Sequence, residues 1–197
     1  MDVGDRIAVS DGAAPVLTTE RLRLEPVGDH HLEFLVELNA DAEVMRYICG
    51  RGRTAAETAD EWLLRRGPQS DVSRGLGYWA GFTDAGFVGW WSASSFTGRP
   101  DLAGLGYRLR RAAWGTGLAT EGARAMVAYA FTVPGVERVV ASTMAVNAAS
   151  RRVLEKAGLR HVDTIYEEWR DPLPGSELGE VVYEILRPGG PGPDPSR

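Results

Sequence analysis

Apolar positions along the chain change period in a way that separates strands from helices. Leu105, Tyr107 and Leu109 alternate with Gly106 and Arg108, the spacing of a strand. From Leu118 the spacing turns helical, and Gly122, Met126, Tyr129 and Ala130 share one face until Pro134-Gly135. Residues 77–82 and 87–91 predict a hairpin around Thr83-Asp84-Ala85-Gly86, and residues 138–144 a β-branched strand. Earlier, residues 21–26 alternate Leu22 and Leu24 with charged residues, a strand closed by Pro26. Asp29 is placed to cap a helix with Leu32, Leu35 and Val36 facing inward. Thr54-Ala55-Ala56-Glu57 is a capping box opening a second helix, with Trp62 and Leu63 expected inside and Gly67-Pro68 as its stop. Asn147 begins a helix that runs through Ala157 and stops at Gly158. Residues 159–169 and 181–187 predict a closing strand pair around Pro172-Leu173-Pro174-Gly175.

Strands with helices on both sides, mostly antiparallel with one βαβ crossover, give an α/β domain of three layers. At 197 residues and 44% hydrophobic, the chain suffices for one full core. Residues 1–16 show no period and read as a flexible arm, 17–187 as the folded domain, and the Pro/Gly-rich 188–197 as a disordered tail. A net charge of −5 and a pI near 5.3 argue against general nucleic-acid binding. No apolar run reaches membrane-spanning length and no basic-then-apolar leader opens the chain, so a cytoplasmic protein without a membrane partner is expected. One cysteine, Cys49, leaves no internal disulfide, and three histidines disfavour a dedicated metal cage. The oligomeric state is open, a homodimer included.

The chemistry concentrates where the strand at 105–109 gives way to the helix at 118. A glycine turn that opens a helix leaves backbone N–H groups without partners, and the helix dipole adds partial positive charge there, so the turn suits a diphosphate. Gly115 and Gly117 begin a G-x-G, but Thr120 stands where G-x-G-x-x-G needs its last glycine. A P-loop is also absent, the only lysine being Lys156. Trp114-Gly115-Thr116-Gly117-Leu118-Ala119-Thr120-Glu121 instead resembles the acetyl-CoA signature of the GCN5-related N-acetyltransferase (GNAT) family. Trp114 stands where the general signature has Gln or Arg, and the W-G-x-G-x-A-(S/T)-E form is similar to the ribosomal-protein N-terminal acetyltransferases and their relatives. The stretch from Val146 to Leu159 resembles that branch's N-x-x-S helix, and Leu17-Thr18-Thr19-Glu20-Arg21-Leu22-Arg23-Leu24 its first strand. The resemblance covers roughly residues 17–187.

That resemblance implies a three-layer α/β/α fold with a mixed, mostly antiparallel sheet and a V-shaped splay between the fourth and fifth predicted strands, 104–109 and 138–144. It implies acetyl-CoA as cosubstrate and no metal, with direct attack by an amine in a ternary complex, so that Cys49 need not be a nucleophile. Pantetheine would pair with backbone near Leu109 and Arg110, and the diphosphate would rest on Trp114, Gly115, Thr116, Gly117, Leu118, Ala119 and Thr120. Asn147 would bond the pantetheine arm while also capping its helix. Ser150, one turn on, would contact the cofactor and protonate the thiolate, or hold it by a hydrogen bond. Other branches place a tyrosine seven residues after the Asn; that position here is Leu154. The general base falls to Glu168, at the end of the strand after the Ser150 helix, and its neighbour Glu167 shares the candidacy; a pair of solvated charges is the alternative. Arg110 and Arg111 lead Arg151, Arg152 and Lys156 as contacts for the nucleotide phosphates, within a basic cluster that includes Arg108. The loop at 39–53, carrying Met45, Tyr47, Ile48 and Cys49, borders the acceptor site in the family or is an ordinary packed connector. Trp79, Trp90 and Trp91, at strand spacing, are assigned to the core. The acceptor is a peptide N-terminus or a small-molecule amine; the non-enzyme alternative is an acyl-CoA-binding sensor.

Overall fold

The computed structural model describes residues 14–66, 70–167 and 169–189. Most of the expected arm and tail, the Gly67-Pro68 stop and Glu168 lie outside these residues. Eight strands form one sheet: β1 (Leu17–Thr18), β2 (Arg23–Pro26), β3 (Gly77–Thr83), β4 (Gly86–Ser95), β5 (Leu102–Leu109), β6 (Arg138–Met144), β7 (Arg160–Ile165) and β8 (Glu180–Leu186). Four helices complete it: α1 (Leu32–Ala40), α2 (Ala55–Arg66), α3 (Leu118–Ala130) and α4 (Ala148–Lys156). The sheet order is β1-β2-β3-β4-β5-β6-β8-β7, and every neighbouring pair is antiparallel except β5 with β6.

Both faces of the sheet are covered, which follows from strands whose odd and even residues are both apolar. On β3, Tyr78 and Ala80 pack beneath α1 and α2 with Leu35, Leu38 and Trp62. Trp79, between them, faces α3, its ring edge-on to Tyr129 at 5.2 Å. Trp90 and Trp91 divide in the same way, so the three tryptophans are core, on opposite sides of the sheet. Trp91 lies against Gly122 of α3, where a Cβ would sit 2.3 Å from the indole, and donates to the Ala119 carbonyl at 3.2 Å.

The expected inward faces need three corrections. Leu32 and Leu63 are exposed, at 37% and 72%, while Leu38 is buried. Helix α1 begins only at Leu32, after a 3-10 turn at Asp29–His31, so its buried stripe runs Leu35, Leu38 and Asn39. On α2 the capping box holds (Thr54 amide to Glu57 at 2.8 Å, Glu57 amide to the Thr54 hydroxyl at 3.2 Å), and Thr58 and Trp62, four apart, form the inner face. The opening strand is two short strands, β1 and β2, joined by a turn in which the Thr19 amide bonds the Leu22 carbonyl at 2.9 Å.

The splay is a matter of register. β5 pairs with β6 at only three positions, Leu102 with Arg138, Ala103 with Val139 and Gly104 with Val140. Beyond these, β5 stays with β4 as far as Leu109, and β6 stays with β8 as far as Met144. The two halves of the sheet therefore separate from Gly104 onward, and Tyr107 and Leu109 line the widening edge.

Candidate active site

The turn at the mouth of the splay uses a left-handed backbone that glycine adopts without strain. After β5 a 3-10 turn at Arg111–Ala113 leads into Trp114, and Gly115 and Gly117 then adopt φ of +74° and +88°. Gly117 is the residue before the first turn of α3. The amides of residues 115–120 donate to no group among the described residues; the first to do so is Glu121, to the Gly117 carbonyl at 3.1 Å. Nothing lies within 4 Å of where a Gly115 side chain would begin. Six N–H groups without a described partner thus gather at the positive end of a 13-residue helix, with open space beside Gly115.

Arg21 and Glu121 hold this arrangement from behind. Glu121 accepts from the Thr19 hydroxyl at 2.6 Å, the Arg21 amide at 2.8 Å and Arg21 Nε at 2.7 Å. Burial works to raise its pKa, but these bonds outweigh it and keep the carboxyl below its ordinary value. The same arginine donates from Nη1 to the Thr116 carbonyl at 2.9 Å. In a trans peptide C=O and N–H point oppositely, so pinning that carbonyl on Arg21 turns the Gly117 N–H away from it, towards the open side. The first strand pair and the glycine turn, distant in sequence, therefore form one unit. Trp114 folds back, its Nε1 donating to the Leu109 carbonyl at 2.9 Å, and stays half exposed.

Across the splay, Asn147 caps α4 by accepting the Ser150 amide at 3.2 Å, and its Nδ2 group bonds no described residue. The Ser150 hydroxyl lies 2.9 Å from the hydroxyl of Tyr107, which also donates to the Ser150 carbonyl at 3.1 Å. Burial pushes the Tyr107 phenol up to about 12, the Ser150 bond opposing and Tyr183 adding to the rise. Tyr107 was legible only as an inward strand residue; nothing in its spacing announces a bond to α4. Leu154 is buried, consistent with its lacking a hydroxyl to offer.

The expected site residues fall into two groups. Leu109, Trp114 and residues 115–120 follow one another from the end of β5 to the start of α3, and Asn147 and Ser150 lie at the start of α4, where Ser150 meets Tyr107 of β5. Leu118 is buried, so what it presents is its amide, and Leu109, whose carbonyl accepts from Trp114, offers its strand-edge amide. Arg110 does not join them. Its amide is taken by the Val88 carbonyl at 2.9 Å, and its guanidinium pairs with Glu37 at 2.6 Å over the Phe87 ring. Strand alternation then turns the backbone groups of Leu109, not Arg110, into the splay. Arg111 pairs with Asp41 at 3.2 Å, again towards α1. Arg108 is buried at 6% exposure on the α1 and α2 side, bonded to Asn39 and Glu61. Arg151 is held by the Tyr183 hydroxyl and the Ala145 carbonyl, whereas Arg152 and Lys156 are exposed.

An open cleft of about 670 Å³ lies beside β7 and β8, lined by Glu167, Trp169, Leu173, Ser176 and Glu177 among others. Its loop reaches two other segments: Leu173 packs on Gly50 of the 39–53 loop, and Gly175 on Val146, next to Asn147. Glu167 is exposed on this cleft, and the proposed base Glu168 lies outside the described residues. Cys49 donates to the Arg51 carbonyl at 3.1 Å. No helix among the described residues is long and apolar enough to cross a membrane.

Coenzyme A fits what this site offers: unpartnered amides for a diphosphate, an unpaired strand edge for an amide-bearing arm, and hydroxyls at the inner end. Comparison with known proteins agrees. The model of the Acetyltransferase (GNAT) domain matches residues 21–160. The FsC-acetyl coenzyme A-N(2)-transacetylase of Aspergillus fumigatus is 41% identical over 187 residues, covering 89% of this chain and 77% of that one. The spermidine N-acetyltransferase of Vibrio cholerae, solved with CoA and spermine, superposes with a TM-score of 0.70 at 15% identity, over 85% of this chain and 96% of that one. The ribosomal alpha-N-protein acetyltransferase RimL, solved with coenzyme A, gives 0.69 at 18% identity, over 87% and 97%. The chain belongs to the GNAT acetyltransferase family and is an acetyl-CoA-dependent N-acetyltransferase.

Proposed function

We propose that the acceptor is a primary amine, on a small molecule or a peptide N-terminus, which attacks directly in a ternary complex, with Ser150 serving the leaving group. The observation that carries this reading is the pairing of the 115–120 amides at the mouth of the splay with a hydroxyl, Ser150, on its opposite wall. Acetyl-CoA supplies the activated acyl carbon and a thiol leaving group. The chain's part is to grip the diphosphate through residues 115–120, seat the arm along Leu109 and Asn147, and put one hydrogen-bond donor where the sulfur departs. The acceptor enters by the open cleft of the 167–177 segment, where Glu167, Glu177 and Trp169 suit a cationic amine. Glu168 is the proposed base on the strength of the resemblance, with Glu167 beside it on the cleft.

A panel of amines and N-terminal peptides, assayed for thiol release from acetyl-CoA, tests the acceptor class. Release with at least one primary amine is expected, and Ser150→Ala lowers kcat by about 10²-fold, the low end of general acid–base effects, while CoA affinity stays within a few-fold. Release unchanged by Ser150→Ala contradicts the role of the serine, and release with alcohols but no amine contradicts the acceptor.

A further inference from the structure

We propose that Tyr107 is the positioning residue for Ser150: its phenol holds the serine hydroxyl so that the serine's proton faces the splay, and refills that proton once it is given up. This rests on the transferase reading and adds to it a residue from β5, outside the glycine turn and the Asn147 helix.

The argument is a count of protons and acceptors. Tyr107 has one proton and two acceptors in reach, Ser150 Oγ at 2.9 Å and the Ser150 carbonyl at 3.1 Å. A serine hydroxyl has one proton and two lone pairs. When Tyr107 donates to Oγ, the serine's proton is left to point into the splay; when it donates to the carbonyl, the serine's proton is spent on the phenol. Two hydroxyl rotations separate these arrangements, so Tyr107 decides where Ser150 aims. The serine itself cannot drift, because Asn147 holds its amide. Tyr107 stands on the part of β5 that has left β6, so the pair spans the splay.

The groups around the phenol favour the protonated state. Tyr183 of β8 acts on the phenol electrostatically, its own hydroxyl accepting from Arg151 and donating to Glu155 of α4. Arg108, next on β5, points to the opposite face and pairs with Glu61. No cation among the described residues bonds the phenol, and burial keeps its proton in place up to about 12. Tyr107 is thus a proton reservoir rather than a base. As the C–S bond breaks, Ser150 gives its proton to the sulfur and takes that of Tyr107. Tyr107 recovers from water the proton that the attacking amine has released to water. The sum is amine plus thioester to amide plus thiol, with no proton gained or lost. A serine acting alone would be left as an alkoxide; the pair leaves the charge on a phenolate, the weaker base.

The test uses the purified full chain with Tyr107→Phe, Ser150→Ala and the double variant. Tyr107→Phe is expected to lower kcat by about tenfold or more, with KM for acetyl-CoA and calorimetric CoA affinity within about threefold, and the double variant to be no slower than Ser150→Ala. Incorporating a trifluorotyrosine at 107 keeps ring and hydroxyl but makes the phenol more acidic, and carries the test should the Phe variant not fold. With it, kcat falls on the alkaline side at a pH where the native enzyme is level. Titrated by absorbance with no substrate present, that phenol moves to higher pH in the Ser150→Ala background, because the serine bond lowers its pKa. Tyr107→Phe turnover within about twofold of native, or a double variant slowed by the product of the two single losses, overturns the inference. So does a fluorinated phenol indifferent to Ser150. If the native chain acetylates no amine, the transferase reading fails instead, and the titration still reports on the pair.

Discussion

Gly117 shows how much of this site rests on single residues. Its φ of +88° lies where a side chain costs roughly 1–2 kcal/mol, and an added Cβ would meet Arg21 Nη2 at 3.3 Å. Arg21 is the residue that turns the Gly117 amide to the open side, so Gly117→Ala disturbs strain and donor direction together. CoA affinity measured by calorimetry is expected to fall by about tenfold or more, since each lost charge-assisted bond is worth about 1.5–3 kcal/mol. Affinity unchanged within error would remove that amide from the cradle. The two glycines and the helix start were legible from composition and period alone. The pinning of the Thr116 carbonyl was not, because Arg21 and Thr116 are 95 positions apart and neither spacing nor propensity links them. Arg108 was misleading for a related reason. On a one-sided sheet a charged residue alternating with Tyr107 and Leu109 would face solvent, but here α1 and α2 cover that side, and the arginine is buried.

At the scale of elements, that buried arginine locks two helices to the sheet. Glu61 of α2 pairs with Arg53, Arg65 and Arg108 at 2.6, 2.7 and 3.4 Å, and Asn39 of α1 bonds both Glu61 and Arg108. Burial works to raise the Glu61 pKa, but Arg108 and Arg65 overcome it and the carboxyl sits below its ordinary value. A carboxyl whose folded pKa is depressed contributes stability above its unfolded value, near 4.3, and loses it as pH falls through the folded value. Glu61→Gln leaves Arg108 buried without its counter-charge and is expected to cost about 3–5 kcal/mol near neutral pH, less in acid. Guanidinium denaturation at two pH values checks both statements; a loss under about 1 kcal/mol at neutral pH would contradict the lock. The elements themselves were largely legible: β6 falls at the expected residues, α3 starts at the expected Leu118 but ends at Ala130, short of Pro134-Gly135, and the 54–57 capping box opens α2 as predicted. The inward faces of α1 and α2 were less so, since Leu32 and Leu63 qualify by hydrophobicity, and only the position of the sheet rotates them outward.

In the whole molecule, the sheet is two antiparallel halves joined by three residue pairs between β5 and β6. The groups proposed to hold the cofactor and serve the leaving group belong to the segments that meet where those halves part: the 115–120 turn after β5, the edge at Leu109, Asn147 after β6, and the Tyr107–Ser150 pair. Sequence reading located this gap through a resemblance; the register shows it, since β5 leaves β6 after Gly104 and follows β4 to Leu109, while β6 follows β8 to Met144. The most direct measurement is an amide NMR titration of the labelled chain with coenzyme A. The amides of Gly115, Thr116, Gly117, Leu118, Ala119 and Thr120, without partners among the described residues, are expected to move most, and to move far less with pantetheine, which lacks the diphosphate. Saturable binding of coenzyme A that leaves those six resonances in place would contradict the account.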